Sequence, residues 1–292
     1  MDQKKGFVYA ALAFFIWGVY PLYWNLLSHL DATFILVNRM VWAFILLGIF
    51  IVFSKKGKSF METLRQLTWK KGLLILCATA LISTNWLVYM WAVNSGQILY
   101  ASLGYYINPM VSILMGVLIL KEKLTRPQLV AALVSGIGVL FLAINLGTLP
   151  WISLVLAFSF ATYGLIKKLL KIDSIFSLFL ETAFMFPLAT WYLAGHASLN
   201  PSNILEMVLL VGGGFITIVP LFFFSKATQL IPLKYIGFIQ YIGPTMGFLI
   251  GVFVFQENFT TAHLIAFACI WTACIIFAAS QLKWPKLRLG RN

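Results

Sequence analysis

The chain of 292 residues carries little charge, since Asp, Glu, Lys and Arg together make up 10% of it, whereas 61% is hydrophobic. A soluble protein of that composition could not cover its surface with polar groups. The alternating segments of about ten residues that build membrane β-barrels are also missing. Apolar runs of about 20 residues recur instead, and each could cross a hydrocarbon core of about 30 Å as a helix. The composition therefore indicates an all-α membrane protein.

Residue patterns that ordinarily carry catalysis or bind metals are scarce. Cys77, Cys269 and Cys274 lie within apolar runs, so we expect them to act as small hydrophobic residues rather than as disulfide or metal pairs. The hydrolase pattern G-x-S-x-G, the zinc protease pattern H-E-x-x-H and a glycine-rich phosphate loop do not occur. We therefore expect no enzyme activity, no metal and no cofactor.

Ten apolar segments are predicted to be transmembrane helices, with short connections between them. They cover residues 6–28, 31–53, 71–92, 97–119, 126–144, 149–170, 174–195, 203–228, 232–255 and 260–281. The longest connection, 54–70, has apolar residues at helical spacing opposite basic ones. That pattern predicts a short helix lying on an anionic membrane surface.

Basic residues lie on one side of the predicted helices. Of the 21 Lys and Arg residues, 20 fall at the termini or in or beside the even-numbered connections, and Arg39 is the exception. Because Lys and Arg are enriched in cytoplasmic loops, we predict cytoplasmic termini and a location in the cytoplasmic (inner) membrane. The net charge of +13 follows from this topology, so no nucleic acid partner is expected.

The two halves of the chain are similar in sequence. An offset of 135 residues aligns 100–132 with 235–267. Identical pairs include Tyr106/Tyr241, Pro109/Pro244, Gly116/Gly251 and Glu122/Glu257. Five crossings are an odd number, so a second five-helix copy must enter the membrane from the opposite side. We predict a first repeat over 1–145 and an inverted second repeat over 146–292, an architecture that recurs in secondary transporters.

The repeat contains prolines and small residues in helices four and nine. Pro109 and Pro244 remove backbone hydrogen bonds and free the carbonyls of Tyr105 and Gln240. Such groups must face protein or a water-filled cavity, so we favour a kink beside a cavity over a purely structural kink. Gly243, Gly247 and Gly251 align with Asn108, Ser112 and Gly116. This stripe of small residues predicts close helix packing, either between the halves or within one half.

Arg39 and Glu181 are the charges predicted to lie deepest in the membrane. Arg39 lies eight residues inside helix two, about 12 Å from its outer end, and Glu181 lies about 10 Å from the inner end of helix seven. Charges at that depth are functional hypotheses by default, with structural pairing as the alternative. Trp17 and Asn85 also lie deep, whereas Trp24 lies near a helix end and is expected to be an interfacial anchor.

Several segments resemble the RarD family of EamA-type transporters in the drug/metabolite transporter superfamily. They are FFIWG (14–18), NWLVYMWAVN (85–94), ASLGYYINP (101–109), LAFSFATYGLIKK (156–168), Glu181-Thr182 and GFIQYIGPT (237–245). The resemblance runs end to end and implies ten helices and export or exchange by alternating access. It departs at Asn38-Arg39, where a basic or His-Arg pair is common, and at Tyr100, where an acidic residue is frequent.

We therefore expect a secondary transporter of a small organic solute, such as an amino acid or aromatic metabolite, in contact with membrane lipids. The expected cavity residues are Trp17, Asn85, Tyr106, Tyr163, Gln240 and Tyr241. Arg39 would attract a carboxylate or orient a partner, and Glu181 would titrate, giving proton coupling, or pair with Arg39. The alternatives are a lipid-carrier flippase and a non-transporting membrane scaffold or sensor.

Overall fold

The computed structural model describes residues 2–95, 97–145, 151–195, 203–256 and 261–281. Within these residues ten segments are helical, long and apolar enough to cross a membrane, which confirms the predicted number of spans. The helices are α1 Asp2–Asn25, α2 Ala32–Phe53, α3 Gly57–Arg65, α4 Trp69–Asn94, α5 Ile98–Leu118, α6 Arg126–Asn145, α7 Trp151–Leu170, α8 Ser174–Gly195, α9 Ile204–Leu230, α10 Leu233–Gln240, α11 Ile242–Phe253 and α12 Thr261–Gln281.

The ninth span differs from its prediction because it consists of two helices. α10 ends at Gln240 and α11 begins at Ile242, with Tyr241 between them. The break lies three residues before Pro244, where proline removes the N–H that would bond the Gln240 carbonyl. α5 continues past Pro109 without such a break. The aligned prolines therefore have unequal effects on their helices.

Large apolar side chains cover much of the outside of the bundle. Phe53, Leu188, Trp191 and Phe253 are each more than 70% exposed. A soluble protein rarely leaves such a surface uncovered. Hydrocarbon is a suitable environment for these side chains.

The largest contacts between helices are symmetric: the main neighbours of a helix in one half match those of the corresponding helix in the other half. α2 packs on α8, α5 on α10 and α6 on α12, and each of these pairs joins helices at matching positions of the two halves. α1 packs on α9 and α11, just as α7 packs on α4 and α5. Lys121 and Gln256, which align at the 135-residue offset, both have positive φ, at 55° and 53°. These features are the ones expected of the inverted repeat, which stays a prediction.

The two halves approach closely where α5 crosses α10. A β-carbon on Gly237 would lie 2.6 Å from Ile113 Cγ1 and 2.7 Å from the Pro109 carbonyl oxygen. The predicted glycine stripe lies elsewhere, against α1: a β-carbon on Gly18 would lie 3.1 Å from the Gly243 carbonyl oxygen. A β-carbon on Gly247 would meet nothing within 4 Å. Gly247 is thus not a close-packing position in this structure, although Gly251 is buried.

Candidate functional site

Arg39 lies between two tryptophan rings inside the first half of the protein. Its guanidinium carbon is 4.5 Å from the Trp86 ring centroid and 5.7 Å from that of Trp24. These cation–π contacts stabilise the positive charge without neutralising it. Within the described residues Arg39 has no ion-pair or hydrogen-bond partner, and its buried Nε is unsatisfied. The guanidinium therefore keeps N–H donors available to an anion.

Three tyrosines from three different helices also lie around Arg39. Tyr20 of α1, Tyr89 of α4 and Tyr105 of α5 all lie close enough to interact electrostatically with Arg39. Tyr105 packs edge-on against Tyr89, with ring centroids 5.8 Å apart. We call the group of Tyr20, Trp24, Arg39, Trp86, Tyr89 and Tyr105 the Arg39 site.

Tyr20 is positioned by a proline in α9. Pro220 removes the N–H that would bond the Ile216 carbonyl. The Tyr20 hydroxyl donates to that carbonyl at 2.5 Å. A carbonyl left free in a membrane helix needs such a partner, so this contact ties α1 of the first half to α9 of the second.

The Arg39 site remains partly accessible although its residues lie in spanning helices. Tyr105 is 40% exposed, and Arg39, Tyr20 and Tyr89 are partly exposed. Aromatic rings and one cation thus each keep some accessible surface within this group. Such a surface can hold an apolar or aromatic body and bind a carboxylate through the guanidinium.

Glu181 belongs to a second, fully buried group on α7 and α8. Its Oε1 lies 2.6 Å from Lys167 Nζ and accepts from the Ser177 hydroxyl at 2.7 Å. Its Oε2 accepts from the Tyr163 hydroxyl at 3.0 Å. Lys167 also donates to Ser177 at 2.7 Å. The alternative that Glu181 pairs with Arg39 is therefore wrong, because Lys167 neutralises the carboxylate and all of its oxygens are occupied.

We call these four residues the Lys167 network, and helical spacing explains their meeting. Tyr163 and Lys167 are four residues apart on α7, and Ser177 and Glu181 are four apart on α8. Residues at that spacing share a helix face. Each of the four residues is no more than 3% exposed. In this conformation the side chains of Tyr163 and Glu181 contact each other and are not exposed at an accessible surface.

Trp17 lies in an aromatic cluster between the two groups. Its ring packs edge-on against Phe160 at 5.4 Å and is 5.7 Å from the ring of Phe224. Phe224 in turn stacks on Tyr163. Phe160 and Phe224 thus lie between Trp17 and Tyr163 of the Lys167 network, and Trp17 is less than one helical turn from Tyr20 on α1.

The other residues predicted to line the cavity lie at helix interfaces. Asn85 faces inward as expected, and its amide donates to the Leu156 carbonyl at 2.8 Å and the Ser159 hydroxyl at 2.9 Å. Gln240 is buried beside Ser112, with 3.4 Å between their oxygens. Tyr106 packs on Phe267, and Tyr241 is buried with Val139 and Ile270. The structure therefore does not bring these four residues to the Arg39 site.

A carboxylate joins the two halves at the end of α5 that lies beside basic connections. Glu122 accepts the backbone N–H of Leu233 with one oxygen and that of Lys234 with the other, each at 2.8 Å. The Lys234 ammonium donates back to the Lys123 carbonyl. A β-carbon on Gly116 would lie 2.7 Å from Glu122 Oε2, so glycine there makes room for the contact. We call this contact the Glu122 clamp; Glu257, the aligned residue, lies outside the described residues.

Sequence reasoning missed Trp24, Trp86, Lys167 and the clamp contacts of Glu122. Trp24 was assigned to the interface by its position near a helix end, and Lys167 was counted as a loop charge. The signal for Lys167 was its spacing of four from Tyr163, which predicts a shared face. Among the described residues no group of three or more His, Cys, Asp or Glu could hold a metal ion.

Comparisons with known proteins agree with this architecture. The model of the EamA-like transporter family matches residues 4–144. A Bacillus subtilis protein named uncharacterized transporter YojE is 44% identical over 289 residues, with 98% of this chain and 97% of that protein covered. Proteins named RarD from Streptomyces exfoliatus and Escherichia coli are 41% and 37% identical, with 100% and 97% of this chain and 92% and 97% of theirs covered.

One solved crystal structure is similar over 96% of this chain and 100% of that one, with a TM-score of 0.72 and 14% identity. At that identity the likeness shows a shared fold. The relatives named above, together with the ten apolar helices, show more. The chain belongs to the RarD family of EamA-type drug/metabolite transporters and is a multi-pass bacterial membrane transporter.

Proposed function

We propose that this protein is a secondary transporter of the cytoplasmic membrane that moves a small organic anion or zwitterion with an aromatic or apolar body. Support comes chiefly from Arg39, a cation between two tryptophan rings with no protein anion beside it among the described residues. An unpaired charge inside a membrane protein is costly, and such charges commonly lie on substrate pathways.

The composition of the Arg39 site defines the class of solute. Arg39 supplies a positive charge with donors suited to a carboxylate. The five aromatic side chains supply flat apolar surface with which a ring or an alkyl chain can pack. None of the five carries a negative charge that would bind an amine. The anionic group of the solute is therefore the part that is recognised by charge.

Alternating access requires a closed end and an open end around the solute. The Glu122 clamp and the close crossing at Gly237 join the two halves beside the basic connections. By the positive-inside rule that end faces the cytoplasm. The clamp then belongs to the conformation closed to the cytoplasm, and it opens when the halves change their relative orientation.

Glu181 gives the transporter a carboxylate for coupling to protons. Its negative charge is balanced by Lys167 within a buried group. Protonating it would leave Lys167 as a buried cation without an anion, which is unfavourable. Proton binding would therefore loosen the contact of α7 with α8, and these helices pack on α4 and α2, which carry parts of the Arg39 site.

Three related solutes test the recognition of an anion in proteoliposomes. Phenylacetate carries only a carboxylate, phenylalanine carries a carboxylate and an ammonium group, and phenethylamine carries only an ammonium group. We expect counterflow of phenylacetate or phenylalanine and none of phenethylamine. Counterflow of phenethylamine at the same rate would contradict the proposal, and phospholipid scrambling without any solute flux would favour the flippase alternative.

A further inference from the structure

A small cavity lies between α3 and the connection from α7 to α8, on the same side of the membrane as the Glu122 clamp. Its volume is about 150 Å³, which corresponds to about five water molecules of about 30 Å³ each. The lining residues are Thr63, Gln66, Leu67, Lys71, Lys171, Ile172 and Asp173. The cavity is therefore large enough for a phosphate group.

The charges around this cavity leave it positive. Asp173 is the acidic lining residue, and its carboxylate is already engaged: one oxygen accepts the Ile175 N–H at 2.9 Å, and the other lies 3.3 Å from Lys226 Nζ. Lys71 and Lys171 have no side-chain partner among the described residues. Two ammonium groups thus stand free beside an acid whose charge a third lysine already balances.

The position of α3 puts the cavity at the membrane surface. Phe60 of α3 packs against Phe176 and Phe179, with ring centroids 5.3 Å away in each case. Met61 is 52% exposed and Trp69, at the start of α4, is 74% exposed. Exposed Trp and apolar residues on an amphipathic helix are typical of the zone of lipid headgroups.

We propose that this cavity binds the phosphate group of an anionic phospholipid headgroup. Lys71 and Lys171 balance its charge, and the Gln66 amide, which has no hydrogen-bond partner among the described residues, supplies a neutral donor. Free inorganic phosphate carries the same charged group and would also fit these residues. The lipid is favoured because Leu67 lines the cavity and the exposed Met61 and Trp69 are each two residues from a lining residue, so apolar surface is close by for the acyl chains.

Native mass spectrometry of the purified protein in neutral detergent tests this site. The probes are phosphatidylglycerol, zwitterionic phosphatidylcholine and inorganic phosphate. We expect phosphatidylglycerol to be retained over phosphatidylcholine. Lys71→Gln and Lys171→Gln should each weaken its retention about fivefold, and the double variant about 30-fold, as expected for basic residues that contact an anionic headgroup.

The matched control is the double variant Lys55→Gln/Lys58→Gln, which removes the same charge on the same side of the membrane at residues outside the cavity lining. It should keep wild-type retention. Equal losses in both double variants would mean general attraction to the basic surface and would overturn the site. If the protein bound inorganic phosphate through Lys71 and Lys171 but did not retain phosphatidylglycerol, the proposal that the ligand is a phospholipid would be overturned.

Discussion

The carboxylate of Glu122 accepts the backbone N–H of Leu233 at 2.8 Å, although the two residues lie 111 positions apart. Leu233 is the first residue of α10, where backbone N–H groups have no partner within the helix. The second oxygen of Glu122 takes the next N–H, from Lys234. A residue of the first half thus satisfies the start of a helix in the second half, and the negative charge also interacts favourably with the helix dipole.

Glu122→Ala should open the end of the protein that this clamp closes. It leaves two buried N–H groups without acceptors, which costs about 1–3 kcal/mol for each group that stays unsatisfied. The test uses a cysteine-free background with Ser112→Cys on α5. When a membrane-impermeant thiol reagent is added on the side of the basic connections, we expect it to react faster with the introduced cysteine in the Glu122→Ala variant than with Glu122 intact.

Glu62→Ala is the matched control, because Glu62 is an exposed acid of α3 for which no side-chain hydrogen bond is present among the described residues. It removes the same charge and should leave the labelling rate of Ser112→Cys unchanged. If Glu122→Ala also labelled at the wild-type rate, the carboxylate would not hold this end closed.

Lys167→Met should destabilise the protein strongly, because it leaves the Glu181 carboxylate buried without its cation. Removing one partner of a buried ion pair typically costs about 3–5 kcal/mol. Adding Glu181→Gln should restore most of the lost stability, since a neutral amide can still accept from Tyr163. Thermal unfolding of the single and double variants measures the coupling, and simply additive losses would contradict the pairing.

Gly237→Ala tests the crossing of α5 and α10. The new methyl group would lie 2.7 Å from the Pro109 carbonyl oxygen, a backbone atom that cannot rotate away. Forcing a methyl group into a packed contact costs about 1–3 kcal/mol. Gly247→Ala is the control, because open space surrounds that position and Ala favours helix by up to about 1 kcal/mol. We expect a lower melting temperature for Gly237→Ala, and a melting temperature for Gly247→Ala that is no lower than that of the wild type.

The sequence predicted the spans well because each depends on local hydropathy over about 20 residues. The surface helix α3 was likewise predictable from the spacing of Phe60, Met61, Leu64 and Leu67. The break at Tyr241 was not, because Pro109 and Pro244 look alike in sequence and only one of them interrupts its helix. Such a difference depends on the neighbouring helices.

Side-chain partners were harder to predict than spans. Arg39 and Glu181 were singled out as deep charges, but depth does not identify a partner. Lys167 is 1% exposed, whereas counting it with the basic connections treated it as a surface charge. Trp24 contacts Arg39 because both side chains lie against Gly213 of α9, and the position of Trp24 near a helix end concealed that role. Contacts between helices require the three-dimensional packing.

Arg39 provides the most direct test of the proposed transport function. Proteoliposomes loaded with unlabelled phenylacetate or phenylalanine and diluted into the same solute in labelled form should show counterflow with the wild type. Arg39→Lys keeps a charge but loses the planar pair of donors, so its flux should fall to an intermediate level. Arg39→Met should abolish counterflow while the protein still elutes as a folded species. Wild-type flux in Arg39→Met would contradict the account.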